Sequence, residues 1–183
     1  MADKTLFVVD VETDGPCPGT DMYSMVSVGA VRVDPTLERT FYAKLRPISR
    51  RFQAEALAVC GFSRTQTHQF EDPAIAIPRF FDWVQAESLG TPVLVSDNPA
   101  FDAAFVNYYF HRYCAHEGSP FGYSARRIGD FAAGLSRNWE DSSSWKALRG
   151  QSLSHNALED ALQNARALVT LAREHQLKLP GIF

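Results

Sequence analysis

The sequence predicts an α/β or α+β domain of three layers. Two observations carry this: strand-like runs crowd the first third of the chain, and helical patterns with one returning apolar strand fill the rest. A third sets the scale, since 183 residues that are 45% hydrophobic and 21% charged fit one ordinary core, and the whole chain, 1–183, reads as a single domain.

The elements follow in order. Leu6–Val11 is an unbroken apolar run and reads as a central strand. DGPCPGTD is a turn by its glycine and proline content. Ser24–Val33 (SMVSVGAVRV) is rich in valine and loosely alternating, so it reads as a second strand, and Phe41–Leu45 as a third. Pro73–Glu87 carries Ile75, Ile77, Phe80, Phe81 and Val84 at helical spacing. Pro92–Val95 is a short apolar strand. Pro99–His116 is a helix dense in aromatic residues, which the reading places mainly in the core. The final helix, about Asn156–His175, repeats Leu158, Ala161, Leu162, Ala165, Leu168, Val169 and Ala172 on one face. Asp160 falls off that stripe and is expected to face solvent or a cleft. The order of the strands stays open.

Net charge is -3 and the pI about 5.9, which argues against a protein that holds nucleic acid mainly by counterion release. It leaves room for an enzyme with a local basic rim, or one whose bound cations supply positive charge. Cys17, Cys60 and Cys114 are odd in number and have no C-x-x-C spacing, so neither a disulfide framework nor a zinc site is indicated. No apolar run approaches the roughly 20 residues of a membrane span, and the N-terminus lacks a signal-peptide layout. A cytoplasmic location, with no membrane partner, is expected.

Chemistry concentrates in three places. In LFVVDVETDG, Asp10 and Glu12 lie two apart on a strand, so both carboxylates point the same way. SDNPAFDAAF puts Asp102 about one turn into a helix. SHNALEDA puts His155 before the last helix and Asp160 in its opening turns. Taken singly, each pattern is weak: acids are common at turns and helix starts. Together, four carboxylates without a thiolate make a hard-oxygen donor set that selects Mg²⁺ or Mn²⁺ over zinc. Four acids can hold two such ions roughly 3.5–4 Å apart, the spacing of two-metal phosphoryl chemistry. A histidine alongside can take the proton of an attacking water. Like charges are tolerable at the core's edge if cations are meant to sit there.

DVETDG, DNPAFD and HNALED, in this order, resemble the three motifs of the DEDD superfamily of 3′→5′ exonucleases, and the offset from His155 to Asp160 is that of its histidine subtype. The ribonuclease T and polymerase-proofreading branch looks closest: AEALAVCGFS (Ala54–Ser63) and RIGDFAAGL (Arg127–Leu135) are similar to its intervening segments. The resemblance spans nearly the whole chain. It implies a ribonuclease H-like fold, a mixed, mainly five-stranded sheet flanked by helices. It implies Asp10, Glu12, Asp102 and Asp160 as ligands of two divalent metal ions and His155 as general base. It places Thr13 and the backbone at Val11 against the terminal nucleotide, with Asn98 in motif two and Glu55 reaching the 3′ end. Motif two of the family often begins His-Asn, whereas this chain has Asp97-Asn98. Aromatic positions of the branch hold Pro16 and Val59 here, so base preference does not carry over. Ribonuclease T-like members are often homodimers, which makes a homodimer one arrangement for this chain.

For substrate, Arg46, Arg50 and Arg51, then Arg126 and Arg127, offer a basic rim, and Phe62 and Tyr23 are candidate stacking residues. The expected activity is metal-dependent 3′→5′ removal of nucleoside monophosphates from single-stranded RNA or DNA. A polymerase proofreading subunit is the alternative within the class, although the chain ends at KLPGIF with no further segment to tether a large partner. A catalytically silent nucleic-acid-binding domain is the alternative outside it; five intact site positions weigh against that.

Overall fold

The computed structural model describes residues 3–182. Strands β1 (Lys4–Thr13), β2 (Met25–Arg32), β3 (Thr40–Lys44), β4 (Thr91–Ser96) and β5 (Ala125–Arg127) form one mixed sheet in the order β3-β2-β1-β4-β5. The first three strands pair antiparallel; β4 runs parallel to β1, and β5 parallel to β4. Helices complete the three layers: α1 (Ala54–Val59), α2 (Arg64–Thr67), α3 (Pro73–Glu87), α4 (Pro99–Tyr113), α5 (Ile128–Ser136) and α6 (Ala157–Glu174). A short 3-10 helix spans Ser144–Leu148.

Alternation along β1 divides the core in two. Phe7, Val9 and Val11 pack with Phe80 and Val84 of α3 and with Phe105, Tyr109 and Phe110 of α4. Leu6 and Val8 point the other way, to Ile128 of α5 and Ala161, Ala165 and Leu168 of α6. Asp10 and Glu12 continue the Leu6–Val8 series, so they lie on the α6 side, where the apolar floor stops.

What lets α6 come down there is Gly29. It is opposite Asp10 in the β1–β2 register, and a Cβ on it would stand 2.3 Å from the Ala157 carbonyl carbon. The glycine lets the first turn of α6 rest on the sheet beside the motif-one acids. Asn156 caps that turn by accepting from the N–H groups of Leu158 and Glu159.

The predicted long elements stand within a few residues, and α3 has the predicted bounds. The exception is α4, which stops at Tyr113 rather than His116. Gly118, at φ +69°, returns its N–H to the Cys114 carbonyl and turns the chain away. The aromatic face of α4 is core as expected, and the Tyr109 hydroxyl accepts from Met25 N–H at 2.9 Å. Five short elements, α1, α2, β5, α5 and the 3-10 helix, lie where the sequence pattern indicated no element. No helix among the described residues is long and apolar enough to cross a membrane.

Candidate active site

The site forms where β1 and β4 end. Two parallel neighbours deliver their following residues to the same edge, so Asp10 and Glu12 of β1 meet the turn after β4. That turn is pinned by Ser96, whose hydroxyl accepts from Asn98 N–H and donates to the Asp102 carboxylate. Asp102 is buried in the first turn of α4.

Asp160 arrives from the other layer. It is 2% exposed, so of the two expected settings, solvent or a cleft, solvent is excluded: it lies under the loop that leads into α6. One of its oxygens accepts from Ser154 N–H at 2.7 Å, the other from His155 N–H at 3.0 Å. These bonds hold His155 in a left-handed conformation, φ +58°, with its side chain exposed over the cluster. Ligating atoms of Glu12, His155 and Asp160 all lie within 4.8 Å of one another. The structure thus brings three of the predicted residues into one cluster, and the carboxylates of Asp10 and Asp102 lie near enough for their charges to act on it.

Their charges are unresolved by the protein itself. Asp10, Glu12, Asp102 and Asp160 have no ion-pair partner among the described residues. Burial, then the charges of Asp102, Glu12 and Asp160, push the Asp10 carboxyl well above the usual range; the more distant Arg149 pulls weakly the other way. Burial, reinforced by Asp160 and Asp102, raises Glu12 to about 7. Asp102 also rises to about 7, with burial outweighing its hydrogen bond from Ser96.

Two acids beside the site are treated oppositely, and both escaped the sequence reading. Asp14 is fully buried, accepts from Ser24 N–H, and pairs with Arg64 at 2.7 Å. Asp97, standing where the family often has histidine, takes Lys146 at 2.8 Å and Arg149 at 3.0 Å. Arg149 lies 4.6 Å from the Trp145 ring centroid and donates to Asn164 of α6 at 2.9 Å. The network ties the motif-two turn to the helix that bears Asp160. Asp14 lay in plain view within DVETDG, but its burial is a tertiary fact; Arg149 carried no pattern at all.

The other predicted contact residues divide. Asn98 and Glu55 are exposed. The Thr13 hydroxyl donates to Gly15 O at 2.9 Å, so it braces the turn, and Val11 is buried within β1. Tyr23 packs on Gly15, where a Cβ would fall 2.1 Å from its ring, and Phe62 is set edge-on against Phe70 at 5.0 Å with Lys44 above both. Neither ring is a free stacking platform.

A mixed sheet with this strand order and these acids in this chain order defines the molecule as a 3′→5′ exonuclease, a phosphodiester hydrolase. The chain belongs to the 3′-5′ exoribonuclease Rv2179c-like domain family, whose model matches residues 5–172. It is 37% identical over 178 residues to the 3′-5′ DNA exonuclease Cap18 of Escherichia coli, covering 89% of each chain. The fold matches the nuclease domain of 3′hExo, a DEDDh family member solved with rAMP, with a TM-score of 0.72 at 14% identity over 96% of each chain. It also matches E. coli exonuclease I in a zinc-bound complex with single-stranded DNA, with a TM-score of 0.69 at 18% identity over 95% of this chain. This chain spans 41% of the exonuclease I chain.

Proposed function

We propose that residues 1–183 form a single metal-dependent exonuclease domain that removes nucleoside monophosphates from the 3′ end of single-stranded RNA or DNA. The observation that carries this is four acids without counter-ions, gathered at one sheet edge under an exposed histidine. Such a donor set fits hard divalent cations, and carboxylates pushed up toward neutral pH are the mark of a site short of positive charge. Two ions, Mg²⁺ or Mn²⁺, held by Asp10, Glu12, Asp102 and Asp160, would activate the attacking water and stabilise the leaving 3′ oxygen.

The chain's own groups do the rest. His155, fixed through its N–H by Asp160, presents an imidazole to the water and takes its proton as the P–O bond forms. Asp160 thereby serves both the cluster and the loop. The hydroxyl of Ser96, itself held by Asn98 N–H, orients Asp102. Exposed Asn98 and Glu55 are read as contacts to the terminal nucleotide. Three unpaired cysteines suit a reducing, cytoplasmic compartment. A homodimer is one arrangement for the chain, testable by sedimentation.

The relatives differ in polymer: the family description names RNA, while the E. coli relative is a DNA exonuclease. The test is therefore degradation of 5′-labelled single-stranded RNA and DNA of one sequence, with Mn²⁺, Mg²⁺ or EDTA. A metal-dependent ladder shortening from the 3′ end is expected, and the rate ratio assigns the polymer. Asp10→Ala should give no ladder, and an undiminished one would overturn the site. His155→Ala should lose about 10²–10⁴-fold in rate.

A further inference from the structure

Next to the site, the segment RPISRRFQ has no regular secondary structure, yet its backbone is pinned along its length. Ile48 and Ser49 N–H both bond the Ser24 hydroxyl, at 3.1 and 3.2 Å. Arg51 N–H bonds the Ser49 hydroxyl at 3.0 Å, and Gln53 N–H bonds Asp14 O at 2.8 Å. Arg64, itself paired with Asp14, closes the brace by donating to Ser49 O. A loop without helix or strand seldom holds so many fixed N–H groups unless its side chains must be presented in one place.

What it presents is two cations and a ring. Arg46 and Arg64, on either side, have carboxylate partners. Arg50 and Arg51 are exposed and appear in no ion pair among the described residues. Arg51 lies 5.7 Å from the Tyr23 ring, which holds its stem without neutralising it. Phe52 is 43% exposed, with the Arg64 guanidinium 5.0 Å from its ring centroid. Together with His68 they line a groove of about 700 Å³ whose sole lining acid is Asp21. Arg64 lines one side of the groove, and its partner Asp14 stands two residues beyond Glu12 in the chain.

We infer that this groove holds the nucleotides immediately 5′ of the one being removed, with Arg50 and Arg51 on phosphates and Phe52 under a base. The inference rests on the exonuclease site proposed above. It explains how a chain of net charge -3 grips a polyanion: the positive charge is local, pre-set and left unpaired.

The test compares the p-nitrophenyl ester of a nucleoside 5′-monophosphate, which has no upstream nucleotide, with a 5′-labelled 20-mer of the preferred polymer, using wild type, Arg50→Ala/Arg51→Ala and Phe52→Ala. All three side chains are exposed, so folding should be retained. For the double variant, KM on the 20-mer should rise about tenfold with kcat unchanged. The salt slope of its affinity for the 20-mer, measured in EDTA, should weaken by about 1.4, the share of two phosphate contacts on a single strand. The p-nitrophenyl ester should be cleaved alike by every variant, and Phe52→Ala should raise KM on the 20-mer without changing the slope. Unchanged KM and slope in the double variant would overturn the groove while leaving the exonuclease site standing. Equal losses on the p-nitrophenyl ester would move the arginines to the terminal nucleotide and overturn the upstream assignment. Wild-type protein inert on both substrates with metal would overturn the site, and this inference with it.

Discussion

Asp14 and Glu12 are two residues apart, and the protein handles them in opposite ways. Asp14, fully buried, is given Arg64, Ser24 N–H and a place in the turn. Glu12, with Asp10, Asp102 and Asp160, receives no ion-pairing cation among the described residues. A second instance stands five residues before Asp102, where Asp97 takes both Lys146 and Arg149. The lesson is that burial alone does not mark a functional acid here. Acids that build the frame are neutralised within the fold; acids that do the chemistry are left to be neutralised by what binds.

That contrast can be sharpened by pH. In the metal-free protein Glu12 rises from an ordinary 4.5 to about 7, and Asp102 from 3.8 to about 7. The folded state therefore keeps protons that the unfolded chain gives up near pH 4. Stability present below that pH is lost as pH climbs to about 7, by up to about 1.4 kcal/mol per pH unit for each such group. Thermal unfolding in EDTA across pH 4.5–7.5 should show the fall, and saturating Mn²⁺ should flatten or reverse it. A flat profile in EDTA would erase the distinction between the two kinds of acid.

A smaller effect comes from turning a frame acid into an unpaired one. Arg64→Gln strands Asp14 in the interior and should cost about 3–5 kcal/mol in urea unfolding, with metal affinity at the cluster retained. A loss below 1 kcal/mol would mean that Asp14 is not held by its partner. The smallest shift, of opposite sign, is expected from Asp10→Asn. Removing one of the like charges should stabilise the metal-free protein by about 0.5–2 kcal/mol at pH 7.5, a trade of function for stability. Destabilisation in that variant would show that the cluster is not strained.

How much of this was legible beforehand varies with the length of the pattern. The long elements were readable because ten or more residues repeat a period: α3 stands at its predicted bounds, and β1, β2 and α6 lie close to theirs. β5 is three residues, Ala-Arg-Arg, and becomes a strand only because β4 offers it an edge. The 3-10 helix at Ser144–Leu148 likewise follows from Trp145 finding a buried place and Arg149 finding Asp97. The four acids and His155 were legible because their local contexts survive as short motifs. The face assigned to Asp160 was not: a helix stripe separates core from non-core residues, but cannot tell solvent from a buried cluster on the next element. Tyr23 and Phe62 looked available for stacking until Gly15 and Phe70 were found against them.

By itself, then, the sequence determined the alternation that puts Asp10 and Glu12 on one face of β1, the amphipathic stripe of α6, and the order of the chemical residues. Those are local consequences of backbone geometry, set by periods of two and 3.6 residues. Tertiary structure alone decided which acids would be paired. Arg64 lies 50 residues from Asp14 and Arg149 lies 52 from Asp97. Their pairing depends on where α2 and the 3-10 helix come to rest, and on Gly29 letting α6 settle beside Asp10. Electrostatic energy is fixed by distance and burial, and neither is written in the spacing of residues along the chain.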